Sequence, residues 1–158
     1  MTGFQLKLLA MLAMTADHIG AVFFPEIPLL RWIGRVAMPV LCFFIGEGLR
    51  HTRSPQRYLL RLTGFALLSE LPFDLAFYGG IEWGHQNVYF TLALGLLALW
   101  AIQSRGMEGW LLALTAALAA ELLGCDYGMY GVLLILLLDR FHSARSEQLA
   151  AAALLPAW

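Results

Sequence analysis

Charge is scarce in this chain, and its scarcity excludes most of the soluble classes. Only 13% of the 158 residues are Asp, Glu, Lys or Arg against 60% hydrophobic, with a mean hydropathy of +0.71. A soluble domain of this length has too little interior to bury that much apolar surface. Ten-residue stretches of alternating polarity are also missing, which excludes a membrane β-barrel and leaves helices to satisfy the backbone in lipid. Cysteine is nearly absent: Cys42 lies inside one apolar run and Cys125 at the end of another, so no disulfide between them is expected. There is no phosphate-binding glycine loop, dinucleotide fingerprint, nucleophile elbow or His-x-x-x-His metal helix. Nothing points to a metal or to nucleic acid, and the net charge of −1 names no partner.

What is present is a series of Leu- and Ala-rich runs, which predicts an all-α, polytopic transmembrane helix bundle of about six spans. The first runs from about Gln5 to Phe24 and stops at Pro25, the second from about Leu30 to Leu49, and the third from about Tyr58 to Phe73. The fourth covers about Asn87 to Ile102, the fifth Trp110 to Leu123 and the sixth Tyr127 to Leu138. The last two are short for a hydrocarbon core of ~30 Å. The apolar ending "QLAAAALLPAW" reads as the start of a seventh span or an interfacial segment, so the single domain 1–158 reads as truncated at its C-terminus. The start, "MTGFQLKLL", has one Lys and no small-residue cleavage site, so the first helix is expected to be retained.

The basic residues orient such a bundle. Lys7, the cluster Arg50, Arg53, Arg57 and Arg61, then Arg105, Arg140 and Arg145 all fall on one side if six spans cross, which predicts a cytoplasmic N-terminus. The remaining polar residues then collect at one depth near the opposite side. Asp17 and His18 lie about seven residues before the end of the first span, roughly 10 Å deep. Arg31 and Arg35 begin the second span there, Glu70 and Asp74 end the third, His85, Gln86 and Asn87 open the fourth, and Asp126 opens the sixth.

An intramembrane charge costs about 2–3 kcal/mol or more unless it is paired or wetted. Arg31 with Arg35, and Glu70 with Asp74, are spaced i,i+4 and share faces, so two arginines facing two carboxylates would offset each other's desolvation. Asp17 and His18 are adjacent, point about 100° apart and are not expected to pair directly. One ion pair, such as Arg35 with Glu70, would serve equally well as glue between helices. So many polar side chains at one depth favour a shared hydrated site. His85 alone would be an interfacial hydrogen-bonder, and His51 a solvated loop residue. Glu47 is expected near the inner surface beside Arg50, and the arginine cluster is first an orientation signal and second a phosphate site.

The segments "KLLAMLAMTADHIGAVFF", "LRWIGRVAMPVLCFFIGEGLRHTRSPQRYLLRL", "ALLSELPFDLAF" and "HQNVYFTLALGLL", with "DYGMYGVLLI" further on, resemble the TraX family of bacterial inner-membrane proteins. The resemblance implies N-terminal acetylation of a conjugative pilin, with acetyl-CoA as acyl donor and a pilin-like or small-molecule amine as acceptor. It also implies a distant similarity to membrane acyltransferases that carry acetyl groups outward. On this reading His18 is the expected general base, His85 the second choice, and Asp17 or Asp74 orients the imidazole. Asn87, Gln86 or Arg35 would stabilise the oxyanion, and Arg31, Glu70 and Asp126 would complete the acceptor site. Glu47, Arg50, Arg53 and Arg57 would form the coenzyme site on the cytoplasmic face. Two other readings remain open: a proton-coupled small-solute transporter using the same polar layer, and a non-catalytic partner in pilus assembly.

Overall fold

Proline, glycine and short polar caps punctuate the chain into helices. A computed structural model describes residues 3–141. Within them lie α1 (Gly3–Phe23), α2 (Pro28–Arg35), α3 (Ala37–His51), α4 (Pro55–Phe77), α5 (Val88–Arg105), α6 (Met107–Leu122) and α7 (Gly128–Arg140). The apolar ending expected to begin a seventh span, and Arg145, lie outside the described residues. No strand occurs among the described residues; one parallel bridge joins Gln86 to Cys125.

Each of the six predicted spans is helical. α2 and α3 run on as one 24-residue stretch, Pro28–His51, interrupted at Val36. Among the described residues, three helices are long and apolar enough to cross a membrane: α1, the α2–α3 stretch and α5. α6 and α7, with 16 and 13 residues, reach only about 24 and 20 Å. The third span begins earlier and ends later than hydropathy suggests. Pro55 suits a first helical turn, Ser54 caps it by accepting from the Arg57 amide, and the helix continues through Pro72 to Phe77.

α5 packs against α3, α4, α6 and α7. Two kinds of packing hold it there. Met38, Cys42, Ile45, Leu92, Leu96, Leu134 and Ile135 form a large-residue core between α3, α5 and α7. Between α5 and α6 the contact is made of alanines, Ala98 against Ala113, Ala116, Ala117 and Ala120, whose small side chains let backbones approach as in membrane helix pairs. The outward faces stay apolar. Leu67, Leu68, Leu71 and Leu75 on α4, and Leu111, Leu114, Leu118 and Leu122 on α6, are exposed at helical spacing. Such continuous apolar faces suit contact with hydrocarbon rather than water.

At the arginine-rich end, Arg50 of α3 bridges Glu47 and Asp139 of α7. At the other end, loops fold over the bundle: the Gln86 amide donates to Gly124 at 3.1 Å and the Asp126 amide to Gln86 at 2.8 Å. This pins the α4–α5 loop to the α6–α7 loop.

Candidate active site

The polar layer read from the sequence gathers at the loop-covered end, in two groups. The first lines a narrow cavity of about 30 Å³ bounded by Asp17, His18, Gly34, Leu41, Asp126 and Tyr127. Asp17 meets Arg31 at 3.2 Å across the α1–α2 contact. That contact is close because Gly34 has no side chain: a Cβ there would fall 2.0 Å from the Cβ of Asp17. His18 sits one position on, its ring edge against Phe77 at 5.3 Å between centroids. Its Nδ1 lies 2.8 Å from the Met14 carbonyl. A carbonyl only accepts, so Nδ1 carries a proton, which in the neutral ring leaves the lone pair on Nε2. Arg35 lies within electrostatic reach of Tyr127.

The second group lines a wider cavity of about 620 Å³, with His85, Gln86, Asp126 and Tyr127 among its walls. His85 is held in the same tautomer as His18, with Nδ1 at 2.8 Å from the Gly84 carbonyl, and its ring packs edge-on to Tyr78. Asp126 and Tyr127 belong to both cavities and separate them. Asp126 opens to solvent on one side; the protein packed around its other side, and then the Asp17 carboxylate, raises its pKa. Tyr127 has φ 64°, the one non-glycine residue in the left-handed region among those described, between Gly124 at φ 65° and Gly128 at φ 42°. This strained turn is braced by the Thr91 hydroxyl, which donates to the Asp126 carbonyl.

Glu70 and Asp74 stand behind these cavities on α4. The expected pairing of Arg31 and Arg35 with these carboxylates is not what holds them. Arg31 turns to Asp17, because α1 and α2 pack directly, while Glu70 accepts from the backbone and side-chain amides of Asn87. Asn87 caps α5 by accepting from the Tyr89 amide at 2.9 Å and also donates to the Ala66 carbonyl at 2.8 Å. Its amide donors are thus spent within the fold. Asp74 accepts from the Glu82 amide at 3.0 Å. Gln86 donates to the Trp83 carbonyl at 3.0 Å.

A groove of about 730 Å³ opens at the opposite end, between α1, α3, α4 and α5. Lys7, Glu47, His51 and Arg61 give it charge, and Leu41, Phe44 and Leu92 give it an apolar floor. Arg50 is engaged by Glu47 and Asp139, and Arg53 and Arg57 are exposed beyond the lining. The groove and the narrow cavity share Leu41, and the narrow and wide cavities share Asp126 and Tyr127. The three therefore lie next to one another along the bundle, divided by Leu41 and by Asp126 with Tyr127, with Asp17 and His18 lining the narrow middle one, the neck.

Sequence reasoning missed Tyr127, Tyr78 and Lys7 as lining residues and had Arg61 only as a member of the arginine cluster. The signal for Tyr127 was present in "GCDYGMYG", where closely spaced glycines mark a turn that needs positive φ. No group of three or more His, Cys, Asp and Glu able to hold a metal occurs among the described residues.

Comparison with known proteins gives this geometry a family. The chain is similar to a probable fimbrial assembly protein, FimC of serogroup H1, from Dichelobacter nodosus, with 36% identity over 167 residues covering 95% of this chain and 66% of that protein. It is also similar to Protein TraX of Escherichia coli, with 31% identity over 95% of this chain and 61% of that protein. The chain thus spans about two thirds or less of the length of these relatives. No solved structure matches it. The sequence profile described as "TraX protein" aligns with residues 2–158, so all seven helices and the neck between the cavities lie inside the matched region, and the chain belongs to the TraX family.

Proposed function

We propose that this chain is a multi-pass inner-membrane acetyltransferase that takes an acetyl group from acetyl-CoA at its arginine-rich, cytoplasmic end and passes it to an amine at the opposite face. The observation that carries this reading is the chain of cavities with His18 at its neck. The groove's chemistry fits the donor. Lys7 and Arg61 on its wall, with Arg53 and Arg57 near its rim, supply cations for phosphates, and Leu41, Phe44 and Leu92 accept the thioester arm. Arg50 acts by positioning α3 against α7 through Glu47 and Asp139.

The acceptor enters from the wide cavity and meets the thioester at the neck. An uncharged amine nitrogen attacks the carbonyl carbon, the C–N bond forms, and the C–S bond breaks. The nitrogen loses a proton to Nε2 of His18, and that proton leaves with the coenzyme thiolate to give the free thiol. Asp17, held by Arg31, flanks the imidazole, and Arg35 stabilises the developing oxyanion. His85 and Gln86 line the acceptor's entrance. The relatives named for TraX and for fimbrial assembly favour a pilin-like N-terminus as acceptor.

About 30 Å³ holds roughly one water molecule, so the neck has to widen for the acetyl thioester and the amine to meet there. The deciding experiment is mass spectrometry of peptide amines after incubation with vesicles and isotope-labelled acetyl-CoA. Labelled N-acetyl product that falls at least a hundredfold in His18→Gln supports the proposal. Full activity in a His18→Ala, His85→Ala double variant ends the assignment of the base, and no product with any amine ends the enzyme reading.

A further inference from the structure

The wide cavity has a chemistry unlike that of the groove. Among its described lining residues are four aromatic rings, Phe73, Tyr78, Tyr127 and Tyr130, and the carboxylates of Glu121 and Asp126, with no Lys or Arg. The rings stand in two contacting groups: Phe73 meets Tyr78 edge-on at 6.2 Å between centroids, with His85 also edge-on to Tyr78, and Tyr127 lies 6.4 Å from Tyr130. Behind these rings the negative charge is left incompletely matched. Glu70 Oε1 and Asp74 Oδ1 are buried with no hydrogen-bond partner among the described residues, and Asp74 is only 2% exposed. The Tyr78 phenol on the wall is pushed above its usual range by burial and then by the charges of Asp126, Glu82, Asp74 and Glu70.

Aromatic faces attract cations through their quadrupoles, most strongly where water is excluded, and a carboxylate beside them supplies a counter-ion. An anion entering this cavity would meet carboxylates and no fixed cation among the described walls. We propose that the wide cavity is a receptor for an organic ammonium on an uncharged stem, seated against Tyr78, Tyr127 and Tyr130 with Asp126 as its counter-ion. A free amino acid fits poorly, since its own carboxylate would face Asp126 and Glu121. A peptide N-terminus or a polyamine end satisfies the site. Naming this ammonium as the acetyl acceptor rests on the acetyltransferase proposal; its binding does not. The two together require the bound ammonium to release one proton to solvent beside Asp126 before the neutral amine attacks, and they give a reason for product release, because the amide formed carries no charge.

The test uses the full chain in lipid nanodiscs, without acetyl-CoA, and three probes with the same stem: Ala-Gly-Gly amide, its N-trimethyl form and its N-acetyl form. Calorimetry should find both cationic probes bound and the neutral N-acetyl probe at least tenfold weaker. Tyr78→Leu should weaken the N-trimethyl probe at least fivefold, and the probe series on the unsubstituted chain decides the matter if that variant does not fold. An N-acetyl probe binding as tightly as the cations overturns the proposal. Cation-selective binding with no acetyl transfer to the free amine leaves the receptor standing and removes the transferase. Acetyl transfer without any preference for cations does the reverse.

Discussion

Gly34→Ala is the smallest change that strikes the neck, and its cost follows from the contact it would make. The new Cβ would stand 2.0 Å from the Cβ of Asp17, 2.6 Å from its Cγ and 2.5 Å from its Oδ1. Carbon atoms rest at about 3.5–4.0 Å, so α2 would have to withdraw from α1 by about 1.5 Å along this line. No flexible tip can absorb the clash, because the nearest atom is bonded directly to the α1 backbone. Overpacking of this kind costs about 1–3 kcal/mol. Withdrawal also stretches the Arg31–Asp17 pair beyond contact, and that pair is half open to solvent, so its loss adds about 1 kcal/mol at most. The sum is a loss of about 1–4 kcal/mol in unfolding free energy, measured by reversible denaturation in mixed micelles. Gly64→Ala is the matched control. Nothing lies within 4 Å of a Cβ at that site on α4, and the helix should gain about 0.5–1 kcal/mol from the added side chain. Equal stability of the two variants would refute the claim that α1 and α2 are in contact at Asp17.

Asn87→Ala removes a helix cap worth about 0.5–2 kcal/mol and strips partners from the Ala66 carbonyl and Glu70, so denaturation should show a total loss of about 2–4 kcal/mol. Tyr127→Gly relieves a left-handed backbone worth about 1 kcal/mol but deletes a ring packed against the core, so denaturation should show a net loss of about 1–3 kcal/mol while acetyl transfer falls more than tenfold through loss of the wall between the cavities. Burial, and next the Asp126 charge, push the Tyr127 phenol up to about 12. The unfolded phenol ionises near 10, so between these values the folded state holds the extra proton and stability should fall as pH rises from about 10 to 12. Denaturation across that range checks the sign, and a rise would contradict it.

The sequence was readable wherever one physical signal dominated. Length and hydropathy located six helical runs, and Pro25 marked the end of the first. The layer at Asp17, His85 and Asp126 was readable because counting turns along alternating helices fixes depth. Which residues touch was not. Arg31 chose Asp17 over Glu70 because Gly20 and Gly34 let α1 and α2 meet, a property of the paired surfaces rather than of either segment. Asn87 looked like a polar donor for a substrate, yet the start of α5 required a cap and took it. The groove at the other end takes Lys7 and Arg61 from helices far apart in sequence, so the arginine cluster lies at the groove's end and supplies only part of its lining.

The central claim is that a donor on one face and an acceptor on the other meet at His18, and sidedness tests it most directly. Proteoliposomes of uniform orientation should acetylate an impermeant peptide amine only when acetyl-CoA is on the Lys7 and Arg61 side and the amine on the Asp126 side. Product formed equally well with both reagents confined to either one side would contradict it.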